Sequence, residues 1–380
     1  MEINLWDLPQ DKTYLKLNKH FHALLFGKAI RKVGSQENLA QILCNSGNKF
    51  ANDIKINQQY ISRLVNDYQC TRLDMILFIA NLIDLPIIEL QKNVLVIKGV
   101  GTSKAIFNPK LPFKLDENLS MLVSKLNCDG SVSEPYSFTA EYVNKNKRLI
   151  EDFKSSINNI FGNTEIKCYT NDGIIRARIT GYLGFLITIF FGHTDADRIP
   201  TEISKSNLDI KRAFIRNVFD DEGCVSKDTG QIKLKMLHKE FIKDVKDILE
   251  DDFGIKCSNI SEDRSSRYSN NTYYYFRISN RFNLQRFRDE IGFSHLKKMR
   301  RLEHRLRNVK KIEYPKHVAQ PLIYDILKSS PMTTKEIAYI LNRGKRIVQS
   351  HLNELKKKGL VCYELIKRRY SYEFLWKVRV

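Results

Sequence analysis

The sequence predicts an α+β chain in which a duplicated α-β-β-α-β-β-α unit lies between two smaller helix-rich domains. Three observations lead to this prediction. Two apolar helical runs, within 122–130 and 213–223, each end in an acid followed by glycine, and the same succession of strands and helices follows each. Residues 18–95 have apolar residues at helical spacing. Residues 317–380 begin as helices and end as two alternating strands.

The charge of the chain indicates a polyanionic partner. At 380 residues it is long enough for several domains, and a hydrophobic content of 42% supports real cores. The formal net charge is +20 at pH 7. A charge of this sign and size points most simply to nucleic acid.

The cysteines and the hydropathy pattern suit a reducing compartment. The seven cysteines form no CxxC pair, which argues against a zinc ribbon and a disulfide framework. No apolar run reaches membrane-spanning length, and the N-terminus lacks the features of a signal peptide. We therefore expect a cytoplasmic, nucleoid-associated chain that does not enter a membrane.

Residues 1–95 are predicted to form the first domain. Helical spacing indicates helices over 18–33, after Ser35, over 56–65 and from Thr71 to Leu82, with serine and threonine as caps. This order resembles a five-helix helix-turn-helix domain of the phage-repressor type. The resemblance implies that the polar face of 56–65 enters the major groove. Its readers would be Gln58, Gln59, Ser62 and Arg63.

One feature of this domain departs from the family. The connection 45–54 is longer than the tight turn of such motifs. A plain helical bundle used for dimerisation is the alternative. Residues 96–116, with Pro109 and Pro112, are predicted to be a linker.

The acid at the end of each apolar run is the most informative local feature. Gly130 and Gly223 lie 93 residues apart, and the acids before them are Asp129 and Glu222. Glycine in this place predicts a left-handed helix cap. A carboxylate there is disfavoured by the helix dipole, so a compensating group is expected. Ordinary turn residues are the alternative, which two copies in matching contexts make less attractive.

The two repeats are predicted over 117–206 and 207–312. In the first, a helix over 117–129 precedes strands at 131–133 and 135–144, a helix at 145–161, strands at 165–169 and 173–180, and a helix at 182–191. In the second, a helix over 208–222 precedes strands at 224–226 and 231–238, a helix at 240–253, strands at 256–260 and 272–279, and a helix at 283–291. Strand alternation places one set of polar side chains on the outward faces. These are Arg176, Arg178, Lys233, Lys235, Tyr273, Tyr275 and Arg277.

This plan resembles a single-chain LAGLIDADG homing-endonuclease fold over about half of the chain. The resemblance implies two motif helices side by side and two sheets forming a saddle over duplex DNA. It implies that Asp129 and Glu222 hold Mg²⁺ beneath the scissile phosphates. A basic residue near the last strand would support the transition state, and Arg281 is the candidate in the second repeat.

Two departures from the family pattern bear on cleavage. The small Ala-Gly pair of the motif is replaced by Val123–Ser124 and Arg216–Asn217, which predicts a wider helix separation. The counterpart of Arg281 in the first repeat is Tyr182. Some relatives, archaeal members among them, keep this scaffold for DNA binding in transcription regulators and carry an appended helix-turn-helix.

A basic run follows the core. It contains Lys297, Lys298, Arg300 and Arg301, with further basic residues through Lys311. We expect contacts with phosphates. A solvated helix face is the alternative.

Residues 313–380 are predicted to be the last domain. A capping box at Thr333 and Glu336 predicts a helix, a second helix follows over 345–358 with Ile347, Leu352 and Leu355 inward, and a two-stranded wing ends the chain. This resembles a winged helix-turn-helix. The resemblance implies one set of DNA contacts: Lys345, Arg346, Gln349 and Ser350 in the major groove, and Lys367, Arg368 and Arg369 on the wing. A protein-docking winged helix is the alternative.

The sequence thus predicts a sequence-specific duplex DNA-binding protein, a transcription regulator on this scaffold. The rival is a Mg²⁺-dependent homing endonuclease that makes double-strand cuts; otherwise no cofactor is expected. A structural DNA organiser is a third class, which the polar glutamines disfavour because phosphate neutralisation needs only Lys and Arg. A homodimer through a flanking domain is a further expectation.

Overall fold

The chain divides after Glu222 into a first unit, Met1–Glu222, and a second unit, Gly223–Val380. The computed structural model describes residues 1–67, 69–100, 104–133, 139–192, 197–227, 230–263, 271–308, 316–368 and 371–379. Within these ranges, no helix is long and apolar enough to cross a membrane.

The first unit contains eleven α-helices, a 3-10 helix at Leu5–Asp7 and eleven strands among its described residues. Its helices are α1 Lys19–Val33, α2 Gln36–Cys44, α3 Lys49–Asp53, α4 Gln58–Asp67, α5 Leu73–Leu82, α6 Ile87–Lys92, α7 Glu117–Asn127, α8 Lys147–Phe161, α9 Gly181–Phe191, α10 Thr201–Ser204 and α11 Leu208–Asp221. Its strands are β1 Glu2–Ile3, β2 Thr13–Leu17, β3 Thr71–Arg72, β4 Val94–Gly99, β5 Ala105–Phe107, β6 Phe113–Lys114, β7 Gly130–Ser133, β8 Thr139–Asn144, β9 Asn163–Thr164, β10 Lys167–Asn171 and β11 Ile174–Ile179.

Of the two predicted capping residues of the N-terminal helices, Ser35 is confirmed, whereas Thr71 is wrong: it lies in strand β3, and α5 begins after Arg72 without a side-chain capping bond. Ser35 accepts a hydrogen bond from the Asn38 backbone at 3.0 Å and so starts α2. Short helix α3 lies inside the stretch predicted to be a long connection. The connection between α2 and α4 therefore runs over residues 45–57 and contains α3, so the long connection predicted between these two helices is confirmed.

The N-terminal part of the first unit also contains strands, which the helical periodicity of the sequence did not predict. A five-stranded antiparallel sheet has the order β3-β2-β4-β5-β9. Strands β4, β5 and β6 occupy much of the stretch predicted to be a linker. Strand β9 joins this sheet from the predicted first repeat, with Ile106 opposite Thr164.

A second antiparallel sheet of the first unit has the order β10-β11-β8-β7. Helix α9 packs on β8 because Gly184 permits a close approach: a Cβ at Gly184 would lie 2.9 Å from the Cβ of Ala140. The other large helix, α8, begins at the capping residue Asn146, whose side chain accepts from the Arg148 backbone at 3.1 Å. The part of the predicted strand at 135–138 lies outside the described residues.

The second unit contains seven strands and six α-helices in its described part. Its strands are β12 Gly223–Val225, β13 Ile232–Met236, β14 Ser261–Asp263, β15 Tyr273–Ile278, β16 Met332–Thr333, β17 Val361–Arg368 and β18 Ser371–Val378. Its helices are α12 Lys239–Asp247, which continues as a π-helical turn Ile248–Asp252, α13 Arg281–Glu290, α14 Leu296–Asn308, α15 Lys316–Ser329, α16 Thr334–Ile340 and α17 Lys345–Lys357.

The first sheet of the second unit has the order β12-β13-β15-β14. Ile232, Leu234, Phe276 and Ile278 are fully buried, as the alternation predicts. The strand predicted at 256–260 is wrong, because the edge strand is Ser261–Asp263. The preceding segment still contacts β15 through the Ser258 backbone, which donates to the Arg277 carbonyl at 2.9 Å.

Residues from α15 onward form a three-helix layer with a sheet of order β16-β18-β17. The predicted capping box is confirmed, since Glu336 accepts from the Thr333 backbone at 2.7 Å. Val348 rather than Ile347 faces the core of this region. Ile347 is 47% exposed, whereas Val348 is fully buried, so the inward assignment of Ile347 is wrong. The register of α17 is therefore one residue off the prediction at its first turn.

Candidate functional site

The two motif helices of the first unit pack through serine side chains. Ser120 donates to the Ile210 carbonyl at 2.8 Å, and Ser124 donates to the Phe214 carbonyl at 3.0 Å. Both serines are fully buried and lie one turn apart on α7. A side chain this short reaches a backbone carbonyl only when the two backbones are close. The predicted wide separation of α7 and α11 is therefore corrected.

One of the larger residues at these positions, Asn217, makes its side-chain contact within its own helix. The Asn217 side chain turns back and donates to the Ala213 carbonyl of its own helix at 2.7 Å. Val123 has an apolar side chain and is buried. Ser120 and Ser124, spaced four residues apart, provide the close approach that the motif's small pair would give.

The ends of these helices bring carboxylates together. Asp129 follows α7 directly, Asp221 is the last residue of α11, and Glu222 is its C-cap. The Asn144 amide donates to Asp129 Oδ2 at 2.8 Å and lies 3.4 Å from Asp221 Oδ1. Two acids from two helices thus contact one nitrogen on β8. We call Asp129, Asp220, Asp221 and Glu222 the acid cluster.

Strand β8 positions this cluster through its last residues. Tyr142 donates its hydroxyl to Asp221 Oδ1 at 2.7 Å. The backbone of Val143 donates to the Asp129 carbonyl at 3.1 Å. Alternate side chains of the strand, Tyr142 and Asn144, therefore both reach the acids, and the main chain between them fixes Asp129.

Lys125 is the cation of the cluster. Its side chain is fully buried on α7. Its Nζ lies 3.4 Å from Tyr142 Oη and 4.7 Å from the centre of the Tyr142 ring. The ammonium also opposes the rise in the pKa of Asp221. A fully buried lysine needs such partners, because desolvation of its charge is costly.

The electrostatics follow from burial beside like charges. Burial, followed by the neighbouring Asp129 and Asp220, raises the pKa of Asp221 to about 7, while Lys125 and the Tyr142 hydroxyl oppose that rise. Burial and the charge of Asp221 hold the pKa of Tyr142 far above its usual range. The compensating group expected at the helix ends is therefore Lys125, assisted by Tyr142 and Asn144.

Gly130 is required for space rather than for a left-handed cap. A Cβ at this position would lie 2.6 Å from the Leu126 Cα and 2.8 Å from the Lys125 carbonyl oxygen. Its φ is not in the left-handed region, so that part of the prediction is wrong. The glycine lets β7 leave the end of α7 at close range.

The residues at the cluster suit a divalent cation in chemistry and not in arrangement. Carboxylate oxygens are the ligands that Mg²⁺ prefers. Asp129 and Asp221, however, already accept hydrogen bonds from Asn144 and Tyr142, and the Lys125 ammonium lies 3.4 Å from the hydroxyl of that tyrosine. In the part of the chain that the structure describes, no three His, Cys, Asp or Glu side chains are grouped as a metal site. Lys125 is the nearby cation whose charge lowers the pKa of Asp221.

The candidate transition-state groups have structural partners. Arg281 begins α13 in the second unit and donates to the Leu306 carbonyl of α14 at 2.7 Å. Tyr182, its predicted counterpart, is buried in the first unit with its hydroxyl 2.5 Å from Thr13 Oγ1. Each thus ties its helix to another element of its own unit.

Basic side chains lie on one face of each four-stranded sheet, as predicted. In the first unit, Arg176 and Arg178 are exposed and both pair with Glu141 on β8. In the second unit, Lys233 and Lys235 pair with Asp263 and lie over the rings of Tyr275 and Tyr273 at 4.0 and 4.5 Å. Arg277 also lies over Tyr275, at 4.9 Å.

The basic helix α14 divides between solvent and packing. Lys297 and Arg300 are exposed, and Lys298 is half-buried. Arg301 instead donates to the Val225 carbonyl at 3.3 Å, and Arg305 covers Gly230. Arg301 and Arg305 therefore stabilise the second unit. Lys310 and Lys311 lie outside the described residues.

The predicted readers of the flanking regions lie on helix surfaces. Gln58, Gln59 and Arg63 are exposed on α4, and Ser62 accepts from Asn66 at 3.1 Å. Lys345, Arg346 and Ser350 are exposed on α17. Gln349 is held by neighbours, since it accepts from Thr334 at 2.8 Å and donates to Asn353 at 3.1 Å. Lys367 and Arg368 end β17, whereas Arg369 lies outside the described residues.

Sequence reasoning missed Lys125, Tyr142, Asn144 and Asp221. Lys125 carries a local signal, since it is the one charged residue in the apolar run LVSKL. Asp221 stands beside the predicted Glu222 in the run DDEG. Tyr142 and Asn144 carry none, because only the fold brings the end of β8 to the ends of both helices.

Comparisons with known proteins point to one domain. Residues 209–292 match the family described as the LAGLIDADG-like domain. An isomerizing glutamine–fructose-6-phosphate aminotransferase of Methanocaldococcus jannaschii is 28% identical over 199 residues, covering 49% of this chain and 17% of the relative. A replication factor C small subunit of the same organism is 38% identical over 108 residues, covering 28% of this chain and 6% of the relative. The chain spans less than a fifth of the length of either curated relative.

Solved structures with distant similarity include two of this type. I-DmoI in complex with DNA and Mn is 15% identical, with a TM-score of 0.35, and the match covers 47% of this chain and 98% of that chain. The N-terminal LAGLIDADG domain of DUF199/WhiA is 14% identical, with a TM-score of 0.33, covering 51% and 90%. The chain is a mixed α/β protein with a LAGLIDADG-like domain at residues 209–292.

Proposed function

We propose that this protein binds duplex DNA at specific sequences and acts as a transcription regulator on a LAGLIDADG-like scaffold. Binding rather than cleavage is favoured by one observation: the buried Lys125 ammonium contacts Tyr142, which bonds to Asp221, and its charge lowers the pKa of Asp221. It supplies the positive charge that a nuclease of this type would take from a divalent ion. The charge of +20 and the basic sheet faces support DNA as the partner.

The proposed core is a duplicated one. The order helix, two strands, helix, two strands, helix occurs from α7 to α9, apart from the additional short strand β9 that pairs with β5, and again from α11 to α13. We assign repeat 1 to 117–206 and repeat 2 to 207–312. The outward basic residues of both sheets would contact the major groove.

The proposed flanking modules read further base pairs. Helices α2 and α4, which pack on each other although residues 45–57 separate them, support a helix-turn-helix in residues 1–95, with 96–116 leading to the core. Helices α16 and α17 with the β17–β18 hairpin support a winged helix in residues 313–380. The exposed Arg63 and Arg346 would read bases. A homodimer would form through one of these modules.

A homing endonuclease is the second candidate, and one observation favours it. Asp129 and Asp221 converge on one nitrogen at the ends of two helices, which is where paired acids would serve phosphodiester hydrolysis. In that reading Asp129 and Glu222 would hold Mg²⁺, which would activate water and stabilise the leaving oxygen. In that case the positive charge of Lys125 would have to be balanced by the phosphates of the bound DNA.

The activities named for the two curated relatives do not extend to this chain. A transferase and a replication factor subunit have unrelated activities, yet both match this chain over a small share of their own length. What they have in common with this chain is therefore a segment that neither name describes. We assign neither activity to it.

The test is site selection from a random duplex library. The full chain is incubated with the library in EDTA, bound duplexes are recovered over several rounds, and affinity is measured for the selected site and for random DNA. We expect a site bound about 10³-fold or more above random duplex. Equal affinity for both would contradict specific binding. Changing Arg63 to Ala should then weaken the selected site more than random DNA.

A further inference from the structure

Each four-stranded sheet carries one carboxylate that holds two basic side chains. On the first unit, Glu141 Oε1 lies 2.9 Å from Arg176 Nη1, and Glu141 Oε2 lies 3.1 Å from Arg178 Nη2. On the second unit, Asp263 Oδ2 lies 3.0 Å from Lys235 Nζ and 3.4 Å from Lys233 Nζ. The arrangement of one acid between two cations occurs in both sheets.

An acid on such a face needs an explanation. A carboxylate repels phosphates and lowers the charge that the sheet presents to DNA. Neither acid protrudes into solvent, since their side chains are 15% and 18% exposed. The arginines remain 51% and 44% exposed, so several of their N–H donors stay accessible. The acids are therefore placed beneath the cations rather than in front of them.

The cations are also held from their other side. The Arg178 guanidinium lies 5.8 Å from the centre of the Tyr169 ring. In the second unit, Lys233 and Lys235 lie over Tyr275 and Tyr273. Ion pairing and cation–π contact together hold these side chains in few rotamers before DNA binds. Less side-chain conformational entropy is therefore lost on binding.

We propose that Glu141 and Asp263 are specificity-determining residues that position these cations to read base edges and that weaken contact with random DNA. The inference rests on the proposed duplex binding. A guanidinium fixed by Glu141 can present its remaining donors to the two acceptors of a guanine, which a mobile arginine does less selectively. The carboxylate also cancels part of the sequence-independent attraction to phosphates.

The test compares Glu141→Gln with Glu151→Gln. Both variants remove one negative charge, but Glu151 lies on α8 and pairs only with Lys154 among the contacts described for it. Affinities of the full chain for the selected site and for random duplex are measured over a range of salt. Glu141→Gln is expected to tighten random binding, to steepen its salt slope by up to about 0.9, and to reduce the specific-to-random ratio about tenfold.

The control should change both affinities by the same factor. Asp263→Asn is a second variant in the other sheet and should act in the same direction as Glu141→Gln. The inference would be overturned, and the proposed function left standing, if the specific-to-random ratio of affinities were unchanged in both sheet variants. The same conclusion would follow if Glu151→Gln changed that ratio as much as Glu141→Gln does. Failure of the unaltered chain to bind duplex would overturn the proposed function as well.

Discussion

Replacement of Lys125 by methionine should strongly destabilise the first unit at pH 8. Lys125 is fully buried, 3.4 Å from Tyr142 Oη and near Asp221. Methionine fills most of the volume, so the main loss is the charge. Removing one partner of a buried charged group costs about 3–5 kcal/mol, because the other charge remains desolvated. Part of the cost is the cation–π contact with Tyr142.

The assay is urea unfolding in EDTA followed by hydrogen exchange of peptides from α7 and α11. Local exchange is needed because a chain of two units does not unfold as one two-state system. Lys154→Met is the matched control, since Lys154 forms a surface pair with Glu151 whose loss costs about 0–1 kcal/mol. The cost of Lys125→Met should shrink at pH 6, where Asp221 takes up a proton. A cost below about 1 kcal/mol at pH 8, or no change with pH, would refute the role of Lys125.

Three further predictions concern the same helices and the flanking reader. Burial raises the pKa of Asp221 from 3.8 to about 7, so between these pH values the folded chain keeps a proton that the unfolded chain has lost. The free energy of unfolding in EDTA should therefore fall between about pH 4 and pH 7, by at most about 4 kcal/mol. Asp221→Asn should remove this pH dependence in urea titrations. Ser124→Ala should cost about 1–2 kcal/mol in the α7 exchange assay by removing the bond to the Phe214 carbonyl; a neutral effect would argue against close helix packing. Arg63→Ala should weaken the selected site by about 1–3 kcal/mol in anisotropy titrations and random duplex by much less; equal losses would make it a phosphate contact.

Local signals in the sequence predicted most of the core elements. Helices α7, α8 and α11 begin at the capping residues Asp116, Asn146 and Asn207. The capping box at Thr333 identified the start of α16. Alternation identified the buried face of β13 and β15. These features depend on neighbours within a few residues, which a sequence displays directly.

Features that depend on distant pairing were missed. Strand β9 pairs with β5 across more than fifty residues, and two-residue strands leave no period to detect. The edge strand β14 was placed too early because the segment before it, which contacts β15 through Ser258, is also apolar in part. Helix α3 is only five residues long, too short for a periodic signal.

The candidate site divides in the same way. Asp129 and Glu222 were found because each stands before a glycine at the end of an apolar run. Lys125 and Tyr142 form part of the site only through contact between α7, β8 and α11. The expectation of separated helices failed because it counted Ser124 among the larger residues that hold the helices apart and overlooked Ser120, whereas both serines form the contact.

The most direct test of the account is cleavage of the selected site. Purified chain and its Asp129→Asn, Glu222→Gln double variant are incubated with the recovered duplex in Mg²⁺ or Mn²⁺, and both strands are resolved. If the protein binds DNA without cleaving it, both proteins should form tight complexes with intact DNA, with and without metal. Metal-dependent double-strand cuts that disappear in the double variant would contradict it and would make the protein an endonuclease.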